Sequence, residues 1–155
     1  MKTIDLVEAL TREHREIDTG IDTFVAGLDS GSIDPDPLVR AMEALRRHIY
    51  LEETLLFPPI RHAGMSMPLL VMAKEHGLLW RLMDHLDSLL AAQDVDALQA
   101  RCEELQLILD QHNRKEEPIV YPRSAGDLTE AETQVLAQFV ESGSTPDGWV
   151  CEAVG

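Results

Sequence analysis

Residues 48–58 read HIYLEETLLFP and residues 112–122 read HNRKEEPIVYP. Each has a histidine, a glutamate four places on, a second glutamate, then an aromatic residue and a proline at the same spacing. Four residues along an α-helix amount to about 40° of rotation and about 6 Å of rise, so His48 and Glu52, and likewise His112 and Glu116, share a face. Two further histidines, His14 and His76, each follow a glutamate, and each precedes one of the repeated elements, by 34 and 36 residues from histidine to histidine. Imidazole and carboxylate without thiolate is a donor set for iron, manganese, zinc, cobalt or nickel, and the missing thiolates disfavour a structural zinc or iron–sulfur site.

The elements that must position these residues are visible in the apolar spacing. Ile4, Val7, Leu10, Ile17, Ile21, Phe24 and Leu28 form a first helical stripe, which DSGSIDPDP at 29–37 ends with turn and helix-start residues. Leu38, Ala41, Leu45 and Leu55 form a second, predicted to stop near Pro58 and Pro59, with a loop at HAGMSMP. Leu69, Met72, Leu79, Met83, Leu86 and Leu90 form a third, and Leu98, Cys102, Leu105, Leu109 and Ile119 a fourth. Each stretch is about 25 residues, or about 37 Å of helix. The expected fold class is therefore all-α: an antiparallel up-down-up-down four-helix bundle over 1–124. Residues 125–155 are expected to add a short C-terminal helix and a tail packed on the same domain. Thr129 and Glu132 have the spacing of a capping box, and Trp149 and Val150 give the tail apolar residues with which to dock.

In all four stripes the histidines and first glutamates stand where a leucine would complete the pattern. A single histidine on an apolar face is more often a hydrogen-bonded core residue than a ligand, and a lone H-x3-E is common by chance. Here six polar residues come from four stripes, and in an antiparallel bundle their depths agree. Two buried carboxylates close together repel and take up protons unless a cation lies between them. No Lys or Arg stands at the matching positions, so a metal is the simplest cation. The two copies of the helical hairpin, related by a pseudo-twofold, would supply two metals. Trp80 is a candidate wall of the site and equally a candidate for core packing, Glu53 and Glu117 are expected to support the site or to lie at the surface, and Pro118 could cause a local distortion that recruits Glu117. His62 and His85 are expected at the surface and Cys102 in the core.

These motifs, taken together and in order over roughly 3–123, resemble the hemerythrin-like family and its HHE cation-binding domain. The resemblance implies two non-haem iron ions, with His14, His48, His76 and His112 as terminal ligands, Glu52 and Glu116 as carboxylate bridges, and an oxo or hydroxo bridge. It also implies a small diatomic ligand or peroxide as partner, with a reductant that the sequence does not identify. Oxygen carriers of the family have a fifth histidine where this chain has Trp80 and an H-x4-D carboxylate in the fourth helix, where this chain offers Glu116 and Glu117. The four-histidine, two-glutamate set is similar to that of iron-centre repair proteins. The expected function is binding of, or reaction with, oxygen, nitric oxide or peroxide, as carrier, sensor or oxidoreductase. Iron storage, delivery or repair, and a metal-stabilised helical interaction module, are the alternatives.

The composition excludes several other classes. Twenty-eight acidic against 13 basic residues give a net charge of −15, and no basic cluster is present to track a phosphate backbone, so no nucleic-acid partner is expected. No uncharged apolar run is long enough for a bilayer, and Cys102 and Cys151 have no spacing of a disulfide framework. A cytoplasmic protein without a membrane partner is the expectation.

Overall fold

The computed structural model describes residues 5–155; Ile4 of the first stripe lies outside the described residues. Helix α1 (Leu6–Asp29) starts at Asp5, whose carboxylate accepts from the Glu8 backbone N–H at 3.2 Å. Helix α2 (Asp36–Leu51) returns antiparallel to it, continues as a π-helical turn (Glu52–Leu56) and then as α3 (Phe57–His62). Helix α4 (Ser66–Ala92) and α5 (Val95–Lys115) are joined by Gln93, in the left-handed conformation at φ 54°, and Asp94, whose side chain caps α5 through the Ala97 N–H. A second π-helical turn (Glu116–Val120) and a 3-10 turn (Tyr121–Arg123) follow, then α6 (Ser124–Asp127) and α7 (Glu130–Ser142). Among the described residues there is no strand. The long helices pack as the expected antiparallel bundle: α1 lies against α2 and α5, and α4 against α5 and α2.

The second stretch does not stop at its prolines. Pro58 falls at the start of a new helical turn, where its missing N–H is not needed, and the loop to α4 shrinks to Ala63–Met65. A proline also expels the carbonyl four residues before it. Pro58 and Pro122 follow the two glutamate pairs at the same distance, and in both places the preceding turn widens into a π-turn that begins at the buried glutamate. The sequence repeat is thus a repeat of a distortion as well as of histidines and glutamates.

The core is cut in two by one polar layer. At one end Ile17, Ile21, Phe24, Met42, Leu79, Met83 and Leu105 belong to an apolar cluster; at the other Leu10, Leu51, Phe57, Ile60, Met72 and Tyr121 belong to a second. His14 lies between Leu10 and Ile17, His76 between Met72 and Leu79, and the two His–Glu pairs fall at the same boundary. Six of the eight buried polar or charged residues among those described are these histidines and glutamates.

The expected fifth helix is α7. Its capping box is complete: the Glu132 N–H donates to Thr129 Oγ1 at 3.1 Å and the Thr129 N–H to Glu132 Oε1 at 2.8 Å. Arg47 of α2 donates to the carbonyls of Phe139, Val140 and Gly143 at its C-terminal end. The tail docks as well. Trp149 packs edge-on against Trp80 and Tyr50, Cys151 is fully buried, and Arg81 donates to the Ala153 carbonyl at 3.1 Å. At Gly77 an added Cβ would lie 2.7 Å from the Ala153 methyl, so glycine beside His76 is what lets the tail lie so close. Among the described residues no helix is long and apolar enough to cross a membrane.

Candidate metal centre

The polar layer is built by an exchange of carboxylates between helices. Glu13 of α1 meets His48 Nδ1 of α2 at 2.8 Å, and Glu75 of α4 meets His112 Nδ1 of α5 at 2.9 Å. Glu53, after the bridging-capable Glu52, meets His76 Nδ1 at 2.7 Å; Glu117, after Glu116, meets His14 Nδ1 at 2.8 Å. Every imidazole therefore donates its Nδ1–H outward and turns Nε2 into the bundle. Such outer carboxylates fix the ring orientation and raise the basicity of the inner nitrogen.

Inside, the Nε2 atoms converge on two carboxylates. Glu52 places Oε2 at 3.1 Å from His48 Nε2 and Oε1 at 3.0 Å from His76 Nε2. Glu116 places Oε1 at 3.1 Å from His14 Nε2 and Oε2 at 3.2 Å from His112 Nε2. Two groups of potential metal donors result, His14–His48–Glu52–Glu116 and Glu52–His76–His112–Glu116, all buried, with both glutamates in both groups. A cavity of about 10 Å³ lies among them, lined on its apolar side by Leu45, Ile49, Leu79 and Leu109. That is room for one small particle.

These residues fit cations. Glu52 Oε1 and Glu116 Oε2 are buried and face His76 Nε2 and His112 Nε2 at 3.0 and 3.2 Å, yet neither they nor His76 Nε2 makes a well-aligned hydrogen bond, a costly arrangement for a carboxylate unless positive charge completes it. The titration of the metal-free chain points the same way. Burial alone would lower the His48, His76 and His112 values, yet the carboxylates around them prevail: His48 is held well above its ordinary value, His76 above it, and His112 is pushed up to about 10. Burial would raise Glu116, yet His112 and His14 hold it well below the carboxylate range. Protons here do the work that a cation otherwise does.

All six expected ligand residues meet in this layer. Glu53 and Glu117 stand behind histidines of other helices. Trp80 is absent from the cavity lining; its ring packs against Trp149 and lies 5.6 Å beneath the Arg46 guanidinium. His62 and His85 are exposed, and Cys102 is fully buried in the core. Three residues of the layer go beyond the sequence reading. Glu13 and Glu75 support the histidines of the next helix, a role that the EH pairs marked by position only. Tyr121 places its hydroxyl within 2.8 Å of both His14 and His48. Its signal was the aromatic residue of the repeat, hidden because a uniform helix would turn it about 140° from Glu116. A groove of about 400 Å³ reaches the layer from outside along His14, Asp18, Asn113 and Glu117.

Neither the curated proteins nor the solved structures compared with this chain give a match. The family model of the hemerythrin HHE cation-binding domain matches residues 5–124, the span that carries all four histidines and both glutamate pairs. The chain belongs to the hemerythrin HHE cation-binding family.

Proposed function

We propose that this chain is a non-haem di-iron protein that binds or reacts with oxygen, nitric oxide or peroxide at a carboxylate-bridged iron pair in the bundle core. The observation that carries the reading is the division of each glutamate between the two donor groups: Glu52 and Glu116 each turn one oxygen to one histidine pair and the other oxygen to the other pair. Such carboxylates hold two cations close together. Iron is the metal that the family resemblance implies, and nitrogen and oxygen donors that leave positions free suit its redox chemistry with small molecules. The four histidines with Glu52 and Glu116 would hold the iron, which would supply electrons to such a molecule.

The protein's own part is orientation and exclusion. Glu13, Glu53, Glu75 and Glu117 hold the four imidazoles with their Nε2 lone pairs inward. Leu45, Ile49, Leu79 and Leu109 keep the cavity dry and limit it to very small molecules. A groove lined by His14 and Glu117 reaches the edge of the layer from solvent.

Metal content and the visible spectrum of protein purified without added metal test the reading. About two irons per chain, with oxo-bridge absorption that changes on reduction and on exposure to oxygen or nitric oxide, is the expected result. Zinc, or a loaded protein with an unresponsive spectrum, would overturn it. The same groove favours a second reading, iron storage or delivery, which predicts transfer of iron to an acceptor at a rate faster than global unfolding. A structural metal module predicts unfolding on metal removal and no redox response.

A further inference from the structure

Tyr121 is fully buried, and its hydroxyl oxygen lies 2.8 Å from His14 Nε2, 2.8 Å from His48 Nε2, 2.7 Å from Glu52 Oε2 and 2.8 Å from Glu116 Oε1. A phenol has one proton to donate and two lone pairs. Four partners at that range exceed what hydrogen bonding can use, and they are the four donor atoms of one group. Around that group, Glu116 Oε1 to His14 Nε2, His14 Nε2 to His48 Nε2, and His48 Nε2 to Glu52 Oε2 are each 3.1 Å. Nitrogen and oxygen donors about 2.0–2.2 Å from a common ion stand about 3 Å from one another when neighbours subtend near-right angles. The ring has that edge, and the tyrosine oxygen caps all four of its corners.

We propose that Tyr121 is a metal ligand, the fifth donor to the ion held by His14, His48, Glu52 and Glu116. The ion takes the place of the hydroxyl proton, which leaves to solvent. This rests on the two-ion reading above. A tyrosine that served only as core packing would need one or two partners and would not have to reach every donor of one group.

The pseudo-twofold assigns the consequence. Tyr121 in HNRKEEPIVYP corresponds to Phe57 in HIYLEETLLFP, and Phe57 lies against His76, ring centroids 5.6 Å apart and planes 9° from parallel. Phe57 brings a hydrocarbon ring and no donor atom. The ion between His76 and His112 therefore has one donor fewer than its neighbour, and it is the one that takes an exogenous small molecule. Tyrosine in one half and phenylalanine in the other make an asymmetric centre from a symmetric repeat.

The test is resonance Raman and visible spectroscopy of the diferric full-length protein, with iron counted in the same samples. Wild type should show a tyrosinate-to-ferric charge-transfer band with enhanced tyrosine ring modes. Tyr121→Phe, which copies the residue of the other half, should lose the band while keeping two irons and its helical circular dichroism. Phe57→Tyr is the second variant and should strengthen the band by adding a second phenolate. Azide should reach one bound per wild-type chain and two per Tyr121→Phe chain. Two irons with no tyrosinate signature in wild type, or a band that survives Tyr121→Phe, would overturn the assignment. One iron per chain with a band would overturn the two-ion reading and keep the tyrosine; no iron uptake would overturn both.

Discussion

The two halves of the centre share a backbone plan and differ in how they are finished. The His14/His48 half is closed from inside by the Tyr121 hydroxyl, yet its supporting Glu117 has a side chain 36% exposed in the surface groove. The His76/His112 half is the reverse. Its donors Glu52 Oε1, His76 Nε2 and Glu116 Oε2 make no well-aligned hydrogen bond, while its supporting Glu53 is only 6% exposed and accepts from the Glu152 N–H of the docked tail at 2.9 Å. One half is satisfied within and open without; the other is covered without and unsatisfied within. An internal repeat can therefore specify a paired site while single substitutions and an added tail set different tasks for its members.

The largest effect on that contrast comes from abolishing it. Each bridging-capable glutamate serves both halves, so on the two-ion reading Glu52→Ala or Glu116→Ala should remove the pair altogether, leaving one ion per chain or fewer. Retention of two ions by either variant, measured after desalting, would show that the carboxylates do not join the halves.

The outer carboxylates separate the halves instead of joining them. Glu13 supports His48 only, and Glu75 supports His112 only. Loss of such a partner typically lowers metal affinity about 10–100-fold. In competition titrations with a chelator, Glu13→Ala should weaken the ion on the Tyr121 side and Glu75→Ala the ion on the Phe57 side, each leaving the other close to wild type. Equal weakening of both ions in both variants would mean that the halves titrate as one unit.

Proton and metal compete for the same nitrogens, which gives a smaller and graded effect. In the metal-stripped chain the His112 value is raised to about 10. A raised value means that the imidazolium contributes stability in full below the ordinary value of 6.5 and loses it as pH rises through about 10. Glu116 is lowered, so its contribution is present above the ordinary carboxylate value of 4.5 and fades only as pH falls well below that value. The stripped protein should thus melt lower at pH 10 than at pH 7, by roughly 5–10 °C for a loss of a few kcal/mol in a domain of this size. Metal-loaded protein should show no such fall, because the ion needs the deprotonated nitrogen. His112→Gln should flatten the slope of the stripped chain, and an unchanged slope would remove this histidine as its source.

The polar layer was legible because period and polarity disagree at its positions: His14, His76, and the two His–Glu pairs interrupt stripes that are otherwise apolar. The bundle and the α7 capping box were legible for the same reason, as spacing. What spacing concealed is the consequence of proline. A uniform helix of about 100° per residue points Tyr121 away from Glu116, and only the π-turn beginning at Glu116 carries its ring into the layer. The same uniform turn stopped the second helix at Pro58, whereas the chain continues through it to His62. Glu13 and Glu75 escaped assignment because their partners lie on the following helix, a relation that no periodicity within one helix contains. Trp80 continues the stripe of α4 one turn past His76, but the docked tail gives its ring a partner in Trp149 away from the cavity.

The smallest effect concerns the cover over the Phe57-side half. Trp149 is half-buried and holds the tail through edge contacts with Tyr50 at 5.0 Å and Trp80 at 5.5 Å. Trp149→Ala should cost about 1–3 kcal/mol, less than a fully buried tryptophan, and the loss should be local to the tail. The two cysteines report where it falls. Both are buried, and burial raises both thiols, Cys102 to about 12, so neither should react readily in wild type. In Trp149→Ala, Cys151 should become accessible to a thiol reagent several-fold faster, with Cys102, deep between α-helices of the bundle, unchanged. With the tail released, Glu53 loses the Glu152 N–H, and its exposure should come to resemble that of Glu117. The affinity for the ion on His76 should then fall by a few-fold, with the Tyr121-side ion untouched. If Cys151 speeds up and neither affinity moves, the tail covers the centre without tuning it, and the difference between the halves rests on Tyr121 and Phe57 alone.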